Sequence, residues 1–378
     1  MEKRTLTFGL PRMHKESGER RDFLPELVKQ VADLGVDVFV EKGIGSGMGL
    51  TDEDYARVSP RVRVVGHLEA YRQDVVLVLR CPEMEEFEKL RKGATLISMI
   101  HYPTRPNRIC RLMELGIDAI SLDSIEDDDG KRLVENMAAV GWNGVEAAFQ
   151  ALEKTYPQFA DPTRGPLRVT VMGAGLVGKC AVEAATRYGN RQAATELDAQ
   201  GIAGVEVTAI GRNLTSRWRY MREQFLQTDV LVDATQRSDP TQPLIPNEWI
   251  GWLPQHAVIC DLVVDPYLLD ATPRTVRSIE GIPRGSLDQY LFLADDPNWD
   301  KTVPKQIDSR NRRAVASCYS WPGVHPKACM TLYGNQLAPM LETLFNRGGV
   351  EGIRPRGEFF ERALWRASLR RWAQRRAA

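Results

Sequence analysis

The residues with the clearest chemistry are three glycines. Val169-Thr170-Val171-Met172 is an apolar, β-branched run, and it leads into Gly173-Ala174-Gly175-Leu176-Val177-Gly178. A small-residue helical pattern, Lys179-Cys180-Ala181, follows. A strand that turns through Gly-x-Gly-x-x-Gly into a helix is the opening of a dinucleotide-binding βαβ unit. Gly173 permits the tight turn, Gly175 lets backbone approach a pyrophosphate, and Gly178 lets the helix lie close to the sheet. The helix N-terminus then offers unpaired N–H groups to the phosphates. Residues 173–178 are therefore the expected cofactor contacts: Gly173, Ala174, Gly175, Leu176, Val177 and Gly178. The next strand, Val205–Ile210, ends in Gly211-Arg212-Asn213. A carboxylate at that point would bind the ribose hydroxyl of NAD. None is present, and Arg212 could meet a 2′-phosphate. Arg212 and Asn213 join the cofactor set, and the cofactor reads as NAD(P)(H), with NADP(H) favoured. The competing reading has Arg212 stacking on adenine or facing solvent.

A second group of polar residues sits just beyond short apolar strands, where open α/β sheets bind ligands. Arg21 lies in the loop after the first strand, Arg80 ends the Val75–Leu79 run, and His101 follows Thr95–Ile100. Asp265 follows Val258–Val264. The run Glu126-Asp127-Asp128-Asp129-Gly130 reads as a solvated turn in preference to a metal site, because consecutive acids diverge instead of converging on one ion. No metal is expected. His14, His67, His256 and His325 read as structural.

These residues need a scaffold, and the chain alternates strand and helix. Strands are expected at 5–9, 37–41, 74–79, 95–100 and 118–122, with helices at 25–34 and 107–115 and one after Pro82. Thr51 and Asp54 form a capping box for a further helix. Leu133–Leu152, with glycines at 141 and 144, reads as a long helix crossing between domains, and Pro326–Phe345 as a helix returning to the first. Later strands fall at 230–233, 258–264 and 313–317. The fold class is α/β: two Rossmann-like domains separated by a cleft and linked by long helices. Residues 1–135 with 325–378 form the substrate domain and residues 136–324 the nucleotide domain. The connection 190–204 and the segment 272–306 are unusually long. The chain has 378 residues, zero formal net charge and 43% hydrophobic residues, a composition that speaks against a nucleic-acid partner. The basic end (Arg366, Arg370, Arg371, Arg375, Arg376) reads as a solvated helix face, with an oligomer contact as one use for it. No apolar run approaches the ~18 residues of a membrane span. Six scattered cysteines and a Met-Glu-Lys-Arg start without a secretory pattern fit a cytoplasmic setting.

Glu41–Tyr55, with its Glu-Lys-Gly-x-Gly-x-Gly-x-Gly-x-x-Asp-Glu-Asp-Tyr pattern, resembles alanine dehydrogenase and the nucleotide-binding subunit of nicotinamide nucleotide transhydrogenase. The 126–130 turn, the helix after it, and the late glycine triplet followed by Asp261-x-x-x-Asp265 are similar too. The resemblance spans about residues 5–345 in order. It implies that Arg21 anchors a substrate carboxylate, with Arg20 as a register-shifted competitor, because a guanidinium pairs bidentately with a carboxylate. It implies that His101 moves a proton at the substrate oxygen and that Asp265 faces the nicotinamide and supports an iminium. The family lysine near the substrate carbonyl corresponds to Arg80, which keeps the charge but does not readily lose a proton. The family asparagine before Pro-Gly corresponds to Ser320. The implied activity is reversible oxidative deamination and reductive amination of a small 2-oxo acid by an NAD(P)-dependent, CH–NH2-directed oxidoreductase in amino-acid metabolism. A homo-oligomer without a membrane partner is expected. Two alternatives stand: a saccharopine- or opine-type dehydrogenase that joins a 2-oxo acid to an amino acid, suggested also by Val230–Pro246, and a non-catalytic nucleotide-binding subunit as in transhydrogenase.

Overall fold

The computed structural model describes residues 6–13 and 18–377. Thr5, the first residue of the expected opening strand, and His14 lie outside them. The chain divides into two compact units: the residues up to Asn136 together with those from His325 onward, and Met137–Val324.

The first unit is built on β1 (Thr7–Leu10), β2 (Asp37–Glu41), β3 (Val62–Val65), β4 (Val75–Arg80), β5 (Thr95–Met99) and β6 (Asp118–Ser121). They form one parallel sheet in the order β3-β2-β1-β4-β5-β6. The central strand β4 is a continuous Val/Leu run because helices cover both faces; Val75 to Leu79 are all buried. β3 lies at the edge, and the sequence reading omitted it. Its Val-Arg-Val-Val alternation is short and exposes Arg63, as an edge strand allows. Helix Pro25–Asp33 starts on Pro at its first turn, where the missing N–H costs nothing. Its Leu27 and Val31 share a core with Tyr333, Leu337 and Leu341 of helix Pro326–Asn346. Burying each such side chain contributes about 1.5–3 kcal/mol. The segment after Pro82 is a 3-10 turn, Met84–Lys89, not an α-helix.

The second unit has β7 (Leu167–Met172), β8 (Val205–Ile210), β9 (Val230–Asp233), β10 (Val258–Asp261), β11 (Leu291–Phe292) and β12 (Ala314–Ser317) in the order β11-β12-β10-β9-β7-β8. Only the edge strand β11 runs antiparallel. Helix Met137–Thr155 begins at Met137, so it belongs wholly to this unit and does not start at Leu133. A Cβ on its Gly141 would sit 2.7 Å from Cys180 Cβ, so that glycine sets the close approach of helix Leu176–Ala185. The long 190–204 connection holds helix Arg191–Ala199. The 272–306 segment supplies β11 and the short helix Trp299–Thr302.

Candidate functional site

In the second unit the order β8-β7-β9 makes β7 the switch point, where successive connections leave in opposite directions and open a crevice beyond the strand ends. The glycine turn lies there. Gly173 has φ +99°, and a Cβ on it would fall 2.4 Å from the Ala234 carbonyl oxygen. A Cβ on Gly178 would fall 1.9 Å from the Gly173 oxygen, so the helix start is pressed against the turn. Nothing lies within 4 Å of the Cβ position of Gly175. Fold geometry therefore demands glycine at 173 and 178, whereas the gap at 175 is kept open on the ligand side. The turn opens into a cavity of about 630 Å³, walled by residues 173–177, by Arg212 and Thr215 beyond β8, and by 234–239 beyond β9. Leu176 is 69% exposed on that wall. Arg212 stands on it as well, its Nη2 donating to the Gln236 carbonyl at 3.2 Å. Asn213 is exposed and is not among the lining residues. A dinucleotide fits this set: the start of the helix and the open space at Gly175 border the same cavity.

Beyond β9 and β10 lies a polar network that sequence reasoning found only in part. Asp265 is ion-paired with Arg237, a residue of the cavity wall. Arg237 is otherwise held by carbonyls: Nη1 donates to Gln242 at 2.6 Å and Nη2 to Val276 at 2.6 Å. Asp261 is ion-paired with the buried Arg277, and Ser317 Oγ donates to its Oδ2 at 3.0 Å. Asp261 Oδ1 accepts the amides of Val263 and Val264. That pins Val264 at φ +54°, a costly conformation for a β-branched residue, and ends β10 at Asp261 instead of Val264. Burial pushes the Asp233 carboxyl up, though the Thr235 hydroxyl and amide bind it.

In the first unit the switch point falls between β1 and β4, and Arg80 ends β4 there. The register with β5 slips between Leu77 and Arg80, which re-aims the strand end. Arg80 lines a cavity of about 530 Å³ with Arg12, Glu41, Glu83, Glu86 and His67. His67, read as structural, is on this wall; its Nδ1 lies 3.0 Å from Glu41 and its Nε2 2.8 Å from Glu86.

Of the two loop arginines, Arg21 is buried and Arg20 exposed. Arg21 does not present a vacant guanidinium. Glu19 accepts from its Nε at 2.8 Å and its Nη2 at 2.6 Å, and Cys329 Sγ lies 3.9 Å from Nη1. Burial alone would raise Glu19, but the hydrogen bonds and charge of Arg21, with the charge of Arg80, outweigh it and hold the carboxyl low. Glu19 occupies the Nε/Nη2 edge, which leaves the Nη1/Nη2 edge as the second fork of the guanidinium. The sequence reading missed Glu19, because a spacing of two residues from Arg21 does not by itself show that the pair is buried.

His101 follows β5 in a left-handed conformation, φ 59°, and its side chain is half exposed. Its Nδ1 lies 3.4 Å from Asp123 Oδ2, and its backbone N–H donates to Asp123 Oδ1 at 3.2 Å. Ser121 Oγ donates to the same oxygen at 2.7 Å. Burial alone would raise Asp123; the hydrogen bond and charge of His101, with the Ser121 hydroxyl, outweigh it and hold the carboxyl down at about 2. A carboxylate on Nδ1 fixes the ring and its tautomer and leaves Nε2 for chemistry.

Other residues singled out in the sequence have partners of their own. His256 pairs with Asp229 at 2.7 Å and stacks on Tyr156. Ser320 accepts the Gly323 amide through its carbonyl. Asp128 of the acidic turn binds Arg362 and Arg366, and Arg370 binds Asp118 at 2.6 Å. Of the basic end, Arg366 and Arg370 thus pair with the first unit's own acids, while Arg375 is exposed. Among the described residues, no cluster of three or more His, Cys, Asp or Glu could hold a metal, and no helix is long and apolar enough to cross a membrane.

Two doubly wound α/β units, one with a dinucleotide cradle and the other with paired Arg and His groups at its strand ends, define a class that comparison with known proteins narrows. The models for the N-terminal and C-terminal domains of alanine dehydrogenase/PNT match residues 9–140 and 160–266. The chain belongs to the alanine dehydrogenase/PNT family. It is 24% identical over 351 residues to the NAD(P) transhydrogenase subunit alpha of Cereibacter sphaeroides, covering 90% of this chain and 65% of that one. It is 24% identical over 360 residues to the alanine dehydrogenase of Bacillus subtilis, covering 92% and 88%. The chain thus spans about two thirds of the length of the transhydrogenase subunits it matches. A solved L-alanine dehydrogenase shares the fold with a TM-score of 0.71 at 20% identity, covering 96% of this chain and 94% of that one. A transhydrogenase from Sinorhizobium meliloti follows with a TM-score of 0.57 at 21% identity, covering 90% and 96%.

Proposed function

We propose that the chain is a nicotinamide-dependent oxidoreductase acting on CH–NH2 substrates, interconverting an amino acid with a 2-oxo acid and an amine. The observation that carries the reading is the cradle open at Gly175 in a chain whose other unit sets the His101–Asp123 pair one strand from Arg80. When bound, the dinucleotide supplies or takes the hydride. Residues 173–177 hold its pyrophosphate, and Arg212 favours the 2′-phosphate of NADP(H).

The chain's own residues supply the remainder. Arg21, oriented by Glu19, offers its Nη1/Nη2 edge to the substrate carboxylate. Arg80 polarises the substrate oxygen but, as a guanidinium, does not take its proton. That leaves proton transfer to His101 Nε2, with Asp123 stabilising the imidazolium that forms. Asp265 would stand on the nicotinamide side. The exchange of lysine for arginine at position 80 supports a 2-oxo acid other than pyruvate.

The test is nucleotide oxidation by the purified chain against a panel of 2-oxo acids, each with ammonium and separately with lysine, ornithine or alanine. Turnover with ammonium supports an amino-acid dehydrogenase; turnover only with a second amino acid supports the opine-type reading. His101→Ala is expected to lower kcat about 10²- to 10⁴-fold. The similarity to transhydrogenase alpha subunits favours a second reading, a nucleotide-binding subunit with a partner chain. That reading predicts nucleotide binding without turnover and indifference to His101→Ala.

A further inference from the structure

The order β8-β7-β9 places the two halves of a dinucleotide on opposite sides of the glycine turn. A ribose beside β8 would meet Arg212, so the other half would lie toward β9 and β10. The strand ends on that side carry three aspartates: Asp233, Asp261 and Asp265. An uncompensated cluster of this kind would attract a cation, and the oxidised nicotinamide ring is one. The cluster is compensated. Arg237 pairs with Asp265 and Arg277 with Asp261. Arg284 adds a third positive charge close enough to act on Arg277. Arg237 is held in place: its side chain is 8% exposed, and its two terminal nitrogens also bind the carbonyls of Gln242 and Val276. It cannot swing away from Asp265 without breaking three contacts.

We propose that Arg237 is a positioning and charge-balancing residue that cancels Asp265 beside the nicotinamide, so that the site prefers the dinucleotide with the neutral, reduced ring to the one with the cationic, oxidised ring. The inference rests on the nucleotide reading and on Asp265 facing the nicotinamide. It goes further by assigning which redox state of the dinucleotide the site holds more tightly.

The test is the ratio of the dissociation constants of the oxidised and reduced dinucleotide, measured by fluorescence titration and calorimetry on the full chain. ADP serves as a probe of the adenosine half alone. Wild-type protein is expected to bind the reduced form more tightly. Arg237→Met leaves Asp265 uncompensated and is expected to shift the ratio toward the oxidised form by about tenfold, the scale of one unit charge about 6 Å away at an effective dielectric of ~40. ADP affinity should be unchanged. Arg237→Lys restores the charge and should restore the ratio, whereas a purely structural role would leave both variants alike. An unchanged ratio in Arg237→Met, with both forms still bound, overturns the inference alone. A loss of ADP affinity equal to the loss for the reduced form also overturns it, because Arg237 would then act on the whole cavity. Failure of the wild type to bind any of the three ligands overturns the nucleotide reading itself.

Discussion

Replacing Gly175 with Ala separates ligand binding from folding. Gly175 has φ −73° and ψ −169°, a conformation any residue adopts, and no atom lies within 4 Å of the added methyl. The fold therefore resists the change only through the poorer N-cap that Ala makes, offset by about 0.4–1 kcal/mol from the loss of glycine's freedom in the unfolded chain. Stability should stay within about 1 kcal/mol. The methyl points into the open gap, where it holds a pyrophosphate off the first-turn N–H groups. Losing one such charge-assisted hydrogen bond costs about 1.5–3 kcal/mol, which is roughly a 10- to 100-fold rise in dissociation constant. Gly178→Ala is the contrast, because its Cβ would lie 1.9 Å from the Gly173 oxygen. Overpacking of that kind costs about 1–3 kcal/mol or more, and at roughly 2–4 °C per kcal/mol the Tm should fall by several degrees. The assay pairs thermal unfolding with fluorescence titration of the reduced dinucleotide. Wild-type affinity in Gly175→Ala, with its Tm unchanged, would refute the cradle.

Arg21→Lys keeps a cation opposite Glu19 but removes the second fork; KM for the 2-oxo acid should rise about tenfold or more with a smaller change in kcat, read from steady-state kinetics. Asp123→Asn should lower kcat, read from steady-state kinetics. Asp123 is also ionised more readily folded than unfolded, so its contribution to stability is full above about pH 4 and is lost as pH falls toward 2. The Tm difference between wild type and Asp123→Asn should accordingly shrink over that window. Arg212→Ala should weaken NADPH about tenfold while leaving NADH within about twofold; equal loss for both would show that Arg212 does not read a 2′-phosphate.

Periodicity made most of the scaffold legible. The glycine triplet with its flanking strand and helix, the buried run of β4, and helices 25–33 and 326–346 follow from local rules: β-branched runs, apolar spacing, Pro at a helix start. Where local rules are silent, elements were missed or misplaced. β3 is short and half polar, and the 84–89 segment has helical composition but forms a 3-10 turn. The site shows the same division. Arg80, His101 and Asp265 were visible because each follows an apolar strand, and strand ends are where parallel sheets bind.

Their partners were not visible. Asp123 reaches His101 from the end of β6, Arg237 reaches Asp265 across 28 residues, and Arg277 reaches Asp261 across 16. Such pairings depend on which strand lies beside which, a property of sheet order that no local window contains. Even Glu19, two residues from Arg21, needed the tertiary structure, because only burial shows that the pair is locked. The sequence by itself determined the residue types and the strand ends that carry them. Only the packing of the sheets decided which charges would be cancelled and which edges left open, because charge compensation is a property of neighbours in space.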